Sequence, residues 1–518
     1  MSTPASAPPA SLEPRTERQD IAAEIQTAVR HTAVYGLGNV LAKFLGFLMI
    51  PFYTHYLNPV DYGTLEILDL SMSLLGMFLA MGMTAAMLRS YTEADSAEAQ
   101  QGVVGSAFLF AAVTGLGVFG LAFRAIPMVS ATIFGPKTPP VYLLTAFASL
   151  IIGYIVNVPR TYLRAREASG WFVGVETATL LLALVLNVVF IAVLRIGLMG
   201  ILYSSLVAAG LQLIVLTGWM LRRVPMRYSS PALRGMLSFG LPLMFSNMAV
   251  FTLNFADRFF LQHLRSLDVV GIYAVGYKFA FMLNFLLVQP FYTMWQSRMY
   301  VAHKNPRHGP IFRQMCILYS VLLISAGLTI AIFSPEIVRF MVGPQFAGCQ
   351  EVIPVVALAY VFYGLGYFAE TGMFLRDRTK LVGLLGACAA ILNLGLNYFL
   401  ISRFGMMGAA WATLLSFAAL ALGSYILSES VYPLHLGVER VLAALGLGIA
   451  LYWASRAAPQ PLAVALVAKV ALCMVFPLLL WKLRILSQAE TATILAARDQ
   501  AWGWVAARWQ GVRVDRLN

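Results

Sequence analysis

Charge is what this chain has least of. Only 11% of its 518 residues are Asp, Glu, Lys or Arg, while 60% are hydrophobic, and mean hydropathy is +0.77. A soluble domain carries roughly 25% charged residues. A water-facing surface of this size needs more charge than the chain holds, so it reads as an integral membrane protein. Cysteine is scarce as well. Cys316, Cys349, Cys388 and Cys473 lie far apart with no CxxC or Cys/His spacing, which excludes a thiolate metal site or redox motif and leaves packing residues. No metal ligand set and no cofactor are expected. The first twenty residues, MSTPASAPPASLEPRTERQD, lack the apolar core of a signal peptide and read as a disordered cytoplasmic tail, residues 1–20. Alternating ten-residue strand patterns are missing, which excludes a β-barrel. Long connections are missing too: the longest hold about ten residues, too few for a soluble catalytic domain. The net charge of +13 is spread between apolar segments, not gathered in a patch, so nucleic acid is not an expected partner.

What is present is a series of apolar stretches long enough to cross a bilayer, which takes about 20 residues. They fall at 32–57, 62–90, 102–125, 140–162, 170–194, 198–221, 234–263, 269–299, 311–333, 351–375, 380–402, 406–429, 438–457 and 461–483. The fold class expected is therefore all-α, with about 14 transmembrane helices. With the N-terminus inside, the intervening segments and tail on the inner side hold 25 Lys and Arg against 7 on the outer side. Both termini are then expected to be cytoplasmic. After the last span, Ser487 and Glu490 form a capping box, and Trp502, Trp504 and Trp509 follow. Residues 487–518 read as an amphipathic helix on the inner membrane surface.

The two halves of the chain repeat one another. RIGLMGILYSSL at 195–206 matches RFGMMGAAWATL at 403–414, HYLNPVDYG at 55–63 matches QHLRSLDVVG at 262–271, and YLRARE at 162–167 matches FLRDRT at 374–379. The offsets run from 207 to 212. Six spans per repeat is an even number, so the repeats enter from the same side. That predicts two six-helix bundles, 21–222 and 234–430, related by a pseudo-two-fold axis along the membrane normal, with helices over 438–483 appended. Such pairs are transporter architecture.

Three stretches carry a family resemblance: YGLGNVLAKFLGFLMIPFYTHYLNPVDYGTLEIL, FADRFFLQHLRSLDVVGIYAVGYKFA and RFGMMGAAWATLLS. They resemble the polysaccharide transporter, or O-antigen flippase, family of the multidrug/oligosaccharidyl-lipid/polysaccharide exporter superfamily. The resemblance spans about residues 30–485. It implies a bacterial inner-membrane flippase, a transporter and not an enzyme. Its substrate would be an undecaprenyl-pyrophosphate-linked oligosaccharide, turned from the cytoplasmic to the periplasmic leaflet by alternating access for O-antigen, capsule or exopolysaccharide export. A cation-coupled multidrug or metabolite exporter and a lipid II flippase are alternatives within the superfamily. The implied partners are the lipid-linked glycan, membrane lipids and polysaccharide polymerase or export machinery.

Ionisable groups at membrane depth are costly and default to functional readings. Asp257 and Arg258 are sequence neighbours, which point about 100° apart on a helix and are not expected to bridge. Asp257 and Lys278 each lie roughly 12–15 Å from the turn between their helices, so they are expected to pair across the hairpin. Arg258 then shares a polar stripe with Asn247 and Asn254, suited to a cavity wall facing a pyrophosphate. Lys43 is a further cavity cation, with Glu66 or Asp69 as its candidate partner. Glu66, Asp69, Asp257 and Glu370 are the candidates for H⁺ or Na⁺ coupling or for charge pairing. Glu176 is a further single acid. Arg89, Arg160, Arg164 and Arg298 would line the cytoplasmic mouth, and Pro51, Pro242 and Pro290 are candidate bends.

Overall fold

A computed structural model describes residues 44–136, 138–306, 308–457, 462–488, 490–493, 496 and 499. The expectations for residues 1–43, including Lys43 and the disordered tail, and for Trp502, Trp504 and Trp509 lie outside the described residues. Among the described residues there is no strand. A helical stretch over 44–56 is followed by twelve helices long and apolar enough to cross a membrane. These are α1 (Pro59–Thr92), α2 (Ala97–Phe123), α3 (Pro140–Ala165), α4 (Gly170–Val193), α5 (Leu198–Leu221), α6 (Ser230–Leu264), α7 (Leu267–His303), α8 (His308–Met341), α9 (Pro344–Leu375), α10 (Thr379–Val431), α11 (Val438–Ser455) and α12 (Leu462–Lys482). The chain is a multi-pass membrane protein of all-α class.

The count of twelve hides one division. α10 is 53 residues long, but Gly405 interrupts it with φ 59° and ψ −133°. That break lies between the spans expected at 380–402 and 406–429. Its repeat mate, Gly197, 208 residues earlier, precedes α5 with φ 63° and ψ −139°. Both angles belong to a region that L side chains avoid and glycine enters freely. The matched words RIGLMG and RFGMMG thus encode the same backbone turn in both halves.

Contacts divide the chain into two compact units. One takes residues up to 52 with 71–245, the other takes 53–70 with residues from 246 onward. Residues 53–70, grouped with the first bundle on sequence grounds, therefore pack in the second unit. The reason is a close backbone crossing of α1 and α7. A Cβ added to Gly63 would lie 1.8 Å from the Leu267 carbonyl oxygen, and one added to Gly271 would lie 2.1 Å from the Pro59 oxygen. The contact is reciprocal under the repeat, since 59 and 63 plus 208 give 267 and 271. Small residues at such crossings let backbones approach and gain dispersion contact in lipid.

Inside the first unit, Met83, Val104, Tyr154, Tyr162 and Met236 belong to one buried cluster. Proline inside a helix removes one backbone hydrogen bond. Pro159, Pro242, Pro335 and Pro477 sit inside helices. Pro290 follows a π-helical turn over Asn284–Val288, which absorbs its missing N–H donor. The C-terminal capping box forms as expected: Ser487 N–H donates to Glu490 Oε2 at 2.6 Å, and Glu490 N–H donates to Ser487 Oγ at 3.3 Å.

A buried charge network as the candidate functional site

In the second unit, α1, α6, α7 and α9 bring two acids, two bases and four tyrosines together. α6 supplies Asn254, Asp257 and Arg258. α7 supplies Tyr273, Tyr277 and Lys278, while α1 adds Tyr62 and Glu66, and α9 adds Tyr360. Arg258 is 1% exposed. Its Nη1 donates to Asp257 Oδ1 at 2.6 Å and to the Asn254 carbonyl at 2.7 Å. Its guanidinium lies over the Tyr277 ring, 3.7 Å from the centroid. Its Nε is 3.9 Å from Glu66 Oε1 and has no hydrogen-bond partner. Asp257 is closed off on its other side by the Tyr273 hydroxyl, which donates to Oδ2 at 2.5 Å. Tyr277 donates to the Asn254 carbonyl at 3.0 Å and meets the Tyr360 hydroxyl at 2.7 Å, and Tyr360 donates to Asn254 Oδ1 at 3.2 Å.

Lys278 is held differently. Its Nζ lies 2.8 Å from Glu66 Oε2 and 3.2 Å from the Tyr62 hydroxyl, but its side chain stays 40% exposed. The network therefore balances two carboxylates against two cations, with one cation sealed and the other open. A fully enclosed ion pair needs this kind of hydrogen-bond satisfaction to offset its desolvation. The open lysine is the group here that can leave its partner for an anion.

Two expectations are corrected. Asp257 does not pair with Lys278; Lys278 takes Glu66, which the close crossing at Gly63 and Gly271 brings alongside α7. Asp257 and Arg258 do bridge despite being neighbours. The Arg258 side chain is long enough to fold back along α6, reaching Asp257 and the Asn254 carbonyl one turn earlier. Their Cβ directions diverge, but the guanidinium reach closes the gap.

The remaining candidates are placed as follows. Asn254 is buried in the network, whereas Asn247 is exposed, so the two do not share one environment. Asp69 is exposed and has no hydrogen bond or ion pair among the described residues. Glu370 is buried at the junction of the helical pieces Val352–Ala369 and Thr371–Leu375, and its Oε2 has no hydrogen-bond partner. In the first unit Arg160 is tied down: its Nε lies 2.9 Å from Glu176 Oε1, its Nη2 donates to Gln212 Oε1, and Gln212 Nε2 donates to the same glutamate oxygen at 3.0 Å. Glu176, singled out as an isolated acid, thus has two partners. Arg164 lies over Phe172, and Arg89 pairs with Glu93 at 2.8 Å. Arg298 is exposed. Among the described residues no group of three His, Cys, Asp or Glu is placed to hold a metal ion.

Sequence reasoning missed the tyrosines. Tyr273 and Tyr277 stand four residues apart, on one face of α7, directly before Lys278. That spacing was the available signal. Lys469, a basic residue that the apolar spans also place at membrane depth, was left without a partner by sequence; it donates to both oxygens of Glu336, at 2.6 and 2.8 Å.

Comparison with known proteins now decides the family. Residues 28–294, that is 267 of 518 or just over half of the chain, match the polysaccharide biosynthesis protein family. The chain belongs to that family. No curated protein sequence matches it. Among solved structures, the lipid II flippase MurJ in its inward closed conformation is similar with TM-score 0.70 and 12% identity, covering 88% of this chain and all of that one. An inward-facing multidrug resistance MATE family transporter of the MOP superfamily is similar with TM-score 0.61 and 15% identity, covering 77% of this chain and 95% of that one. An outward-facing MATE transporter is similar with TM-score 0.53 and 15% identity, over 78% and 96%. At these identities the likeness shows the fold. This member of the polysaccharide biosynthesis family has the MOP-superfamily transporter fold.

Proposed function

We propose that the protein is a flippase that moves a polyprenyl-pyrophosphate-linked oligosaccharide across the bacterial inner membrane for surface polysaccharide export. Undecaprenyl is the carrier implied, and both termini are cytoplasmic on the Lys/Arg distribution. The observation that carries the reading is the pairing of family membership with an open cation at membrane depth, Lys278, balanced by Glu66 alone. A pyrophosphate is a stronger anion than a single carboxylate and can take Lys278 from Glu66. Tyr273 and Tyr277 of α7, which donate to Asp257 and to the Asn254 carbonyl of α6, hold the two helices in register while that exchange occurs. Glu66, once released from Lys278, keeps only Arg258 Nε at 3.9 Å as a cationic neighbour and becomes the group here that can take up a proton. This makes Glu66, with Asp69 beside it, the candidate group for H⁺ coupling; Na⁺ is the alternative ion. The occurrence of the same fold in inward- and outward-facing forms supports alternating access. The protein acts as a transporter and makes no covalent change to its cargo.

A lipid II flippase is the second reading. It is favoured by the MurJ likeness, whose TM-score is 0.70 against 0.61 for the inward-facing MATE transporter. Both cargoes share the pyrophosphate that Lys278 would meet. Deleting the gene separates them. Loss of surface polysaccharide, with lipid-linked glycan accumulating on the cytoplasmic leaflet and viability kept, supports the first. Lysis, with lipid II accumulating, supports the second. A deletion strain with normal polysaccharide and normal peptidoglycan contradicts both.

A further inference from the structure

A second polar cavity lies away from the charge network, within the second unit, where α8 ends and α11 meets α12. Its volume is about 290 Å³, and Arg339, Glu336, Tyr452, Arg456 and Lys469 are among the residues lining it. Lys469 and Glu336 are both buried and face each other, and Lys469 uses both glutamate oxygens. That leaves no acid for the arginines. Neither Arg339 nor Arg456 makes a side-chain hydrogen bond or ion pair among the described residues. Three cations against one carboxylate leave the cavity with a net charge of +2. Unneutralised guanidinium groups at the end of membrane helices are costly unless they meet water or an anion.

The surroundings narrow the anion. Phe340 follows Arg339 and Trp453 lies one helical turn before Arg456, and both are about two-thirds exposed. A polar, cationic cavity at the ends of apolar helices that carry exposed aromatic side chains near its arginines suits an amphiphile whose acidic head enters and whose chains lie outside. The volume accommodates a head group and no more of a lipid. We propose that this cavity binds the phosphate head group of an anionic membrane lipid, with Arg339 and Arg456 holding the phosphate oxygens and the Lys469–Glu336 pair forming the floor. On the orientation proposed above, this is the outer leaflet. The site does not depend on the identity of the transported cargo.

The test uses the full chain purified in detergent and titrated with phosphatidylglycerol, phosphatidylcholine or inorganic phosphate, with retained lipid read by native mass spectrometry. Wild type is expected to retain phosphatidylglycerol in preference to phosphatidylcholine. The Arg339→Gln/Arg456→Gln variant should bind phosphatidylglycerol roughly 30-fold more weakly, taking each arginine at about 1 kcal/mol and 1.4 kcal/mol per tenfold. Both side chains are exposed and unpaired, so the variant should keep the wild-type elution profile. The exposed Arg403→Gln variant should bind as wild type does. Equal retention by wild type and the double variant overturns the proposal. So does displacement of the lipid by millimolar inorganic phosphate, which would identify a site for the free anion.

Discussion

Replacing Asp257 by Asn should destabilise the protein without the effect being specific to cargo. The carboxylate is 2% exposed and Arg258 is 1% exposed, and they meet at 2.6 Å. Asparagine keeps the shape and one acceptor but removes the charge. Arg258 is then left as a buried cation with Glu66 at 3.9 Å as its nearest acid. Breaking a buried pair by removing one partner costs about 3–5 kcal/mol, because the remaining charge is uncompensated. For a chain of this size, at roughly 2.1 cal/mol/K of unfolding entropy per residue, that corresponds to a fall in apparent melting temperature of about 3–5 °C. The assay is thermal aggregation of the detergent-purified protein, followed by size-exclusion chromatography. The informative comparison is the double variant Asp257→Asn/Arg258→Gln. With both charges gone no ion is stranded, so it should recover part of the single variant's loss. An unchanged melting temperature for Asp257→Asn, or a double variant that loses the sum of both singles, would refute the stranded-charge argument.

Further predictions concern other parts of the molecule. Gly63→Val should abolish folded yield in detergent, since a Cβ there falls 1.8 Å from the Leu267 oxygen and the α1–α7 crossing has to open; a wild-type elution profile contradicts this. Glu336→Leu should lower thermal stability by about 3–5 kcal/mol through stranded Lys469, while Glu336→Leu/Lys469→Leu should be close to wild type. Gly405→Ala should be more harmful than Ala at a helical glycine with open space such as Gly395, because φ 59° with ψ −133° excludes a side chain at Gly405; equal melting temperatures would contradict it.

Much of the fold could be read from hydropathy, because spanning length is a one-dimensional property. The repeat could be read too, since Gly197 and Gly405 adopt the same rare backbone angles and cannot drift in sequence without cost. The pairing within the site was not legible. Glu66 reaches Lys278 only because two glycines, 208 residues apart, let α1 and α7 touch, and no periodicity announces that. Asp257 and Arg258 diverge only in their Cβ directions. An arginine carries its charge several bonds further, far enough to turn back. The tyrosines were passed over because an aromatic face does not register as a charge partner in a sequence, although Tyr277 covers the Arg258 guanidinium at 3.7 Å.

The central claim is that Lys278, released from Glu66, receives the pyrophosphate of a lipid-linked glycan. It is tested most directly by leaflet-resolved measurement of the lipid-linked glycan in a deletion strain that carries Lys278→Gln. The account predicts wild-type protein levels, with the glycan confined to the cytoplasmic leaflet and surface polysaccharide lost, and recovery of export by Lys278→Arg. Full export by Lys278→Gln at wild-type protein levels would contradict it.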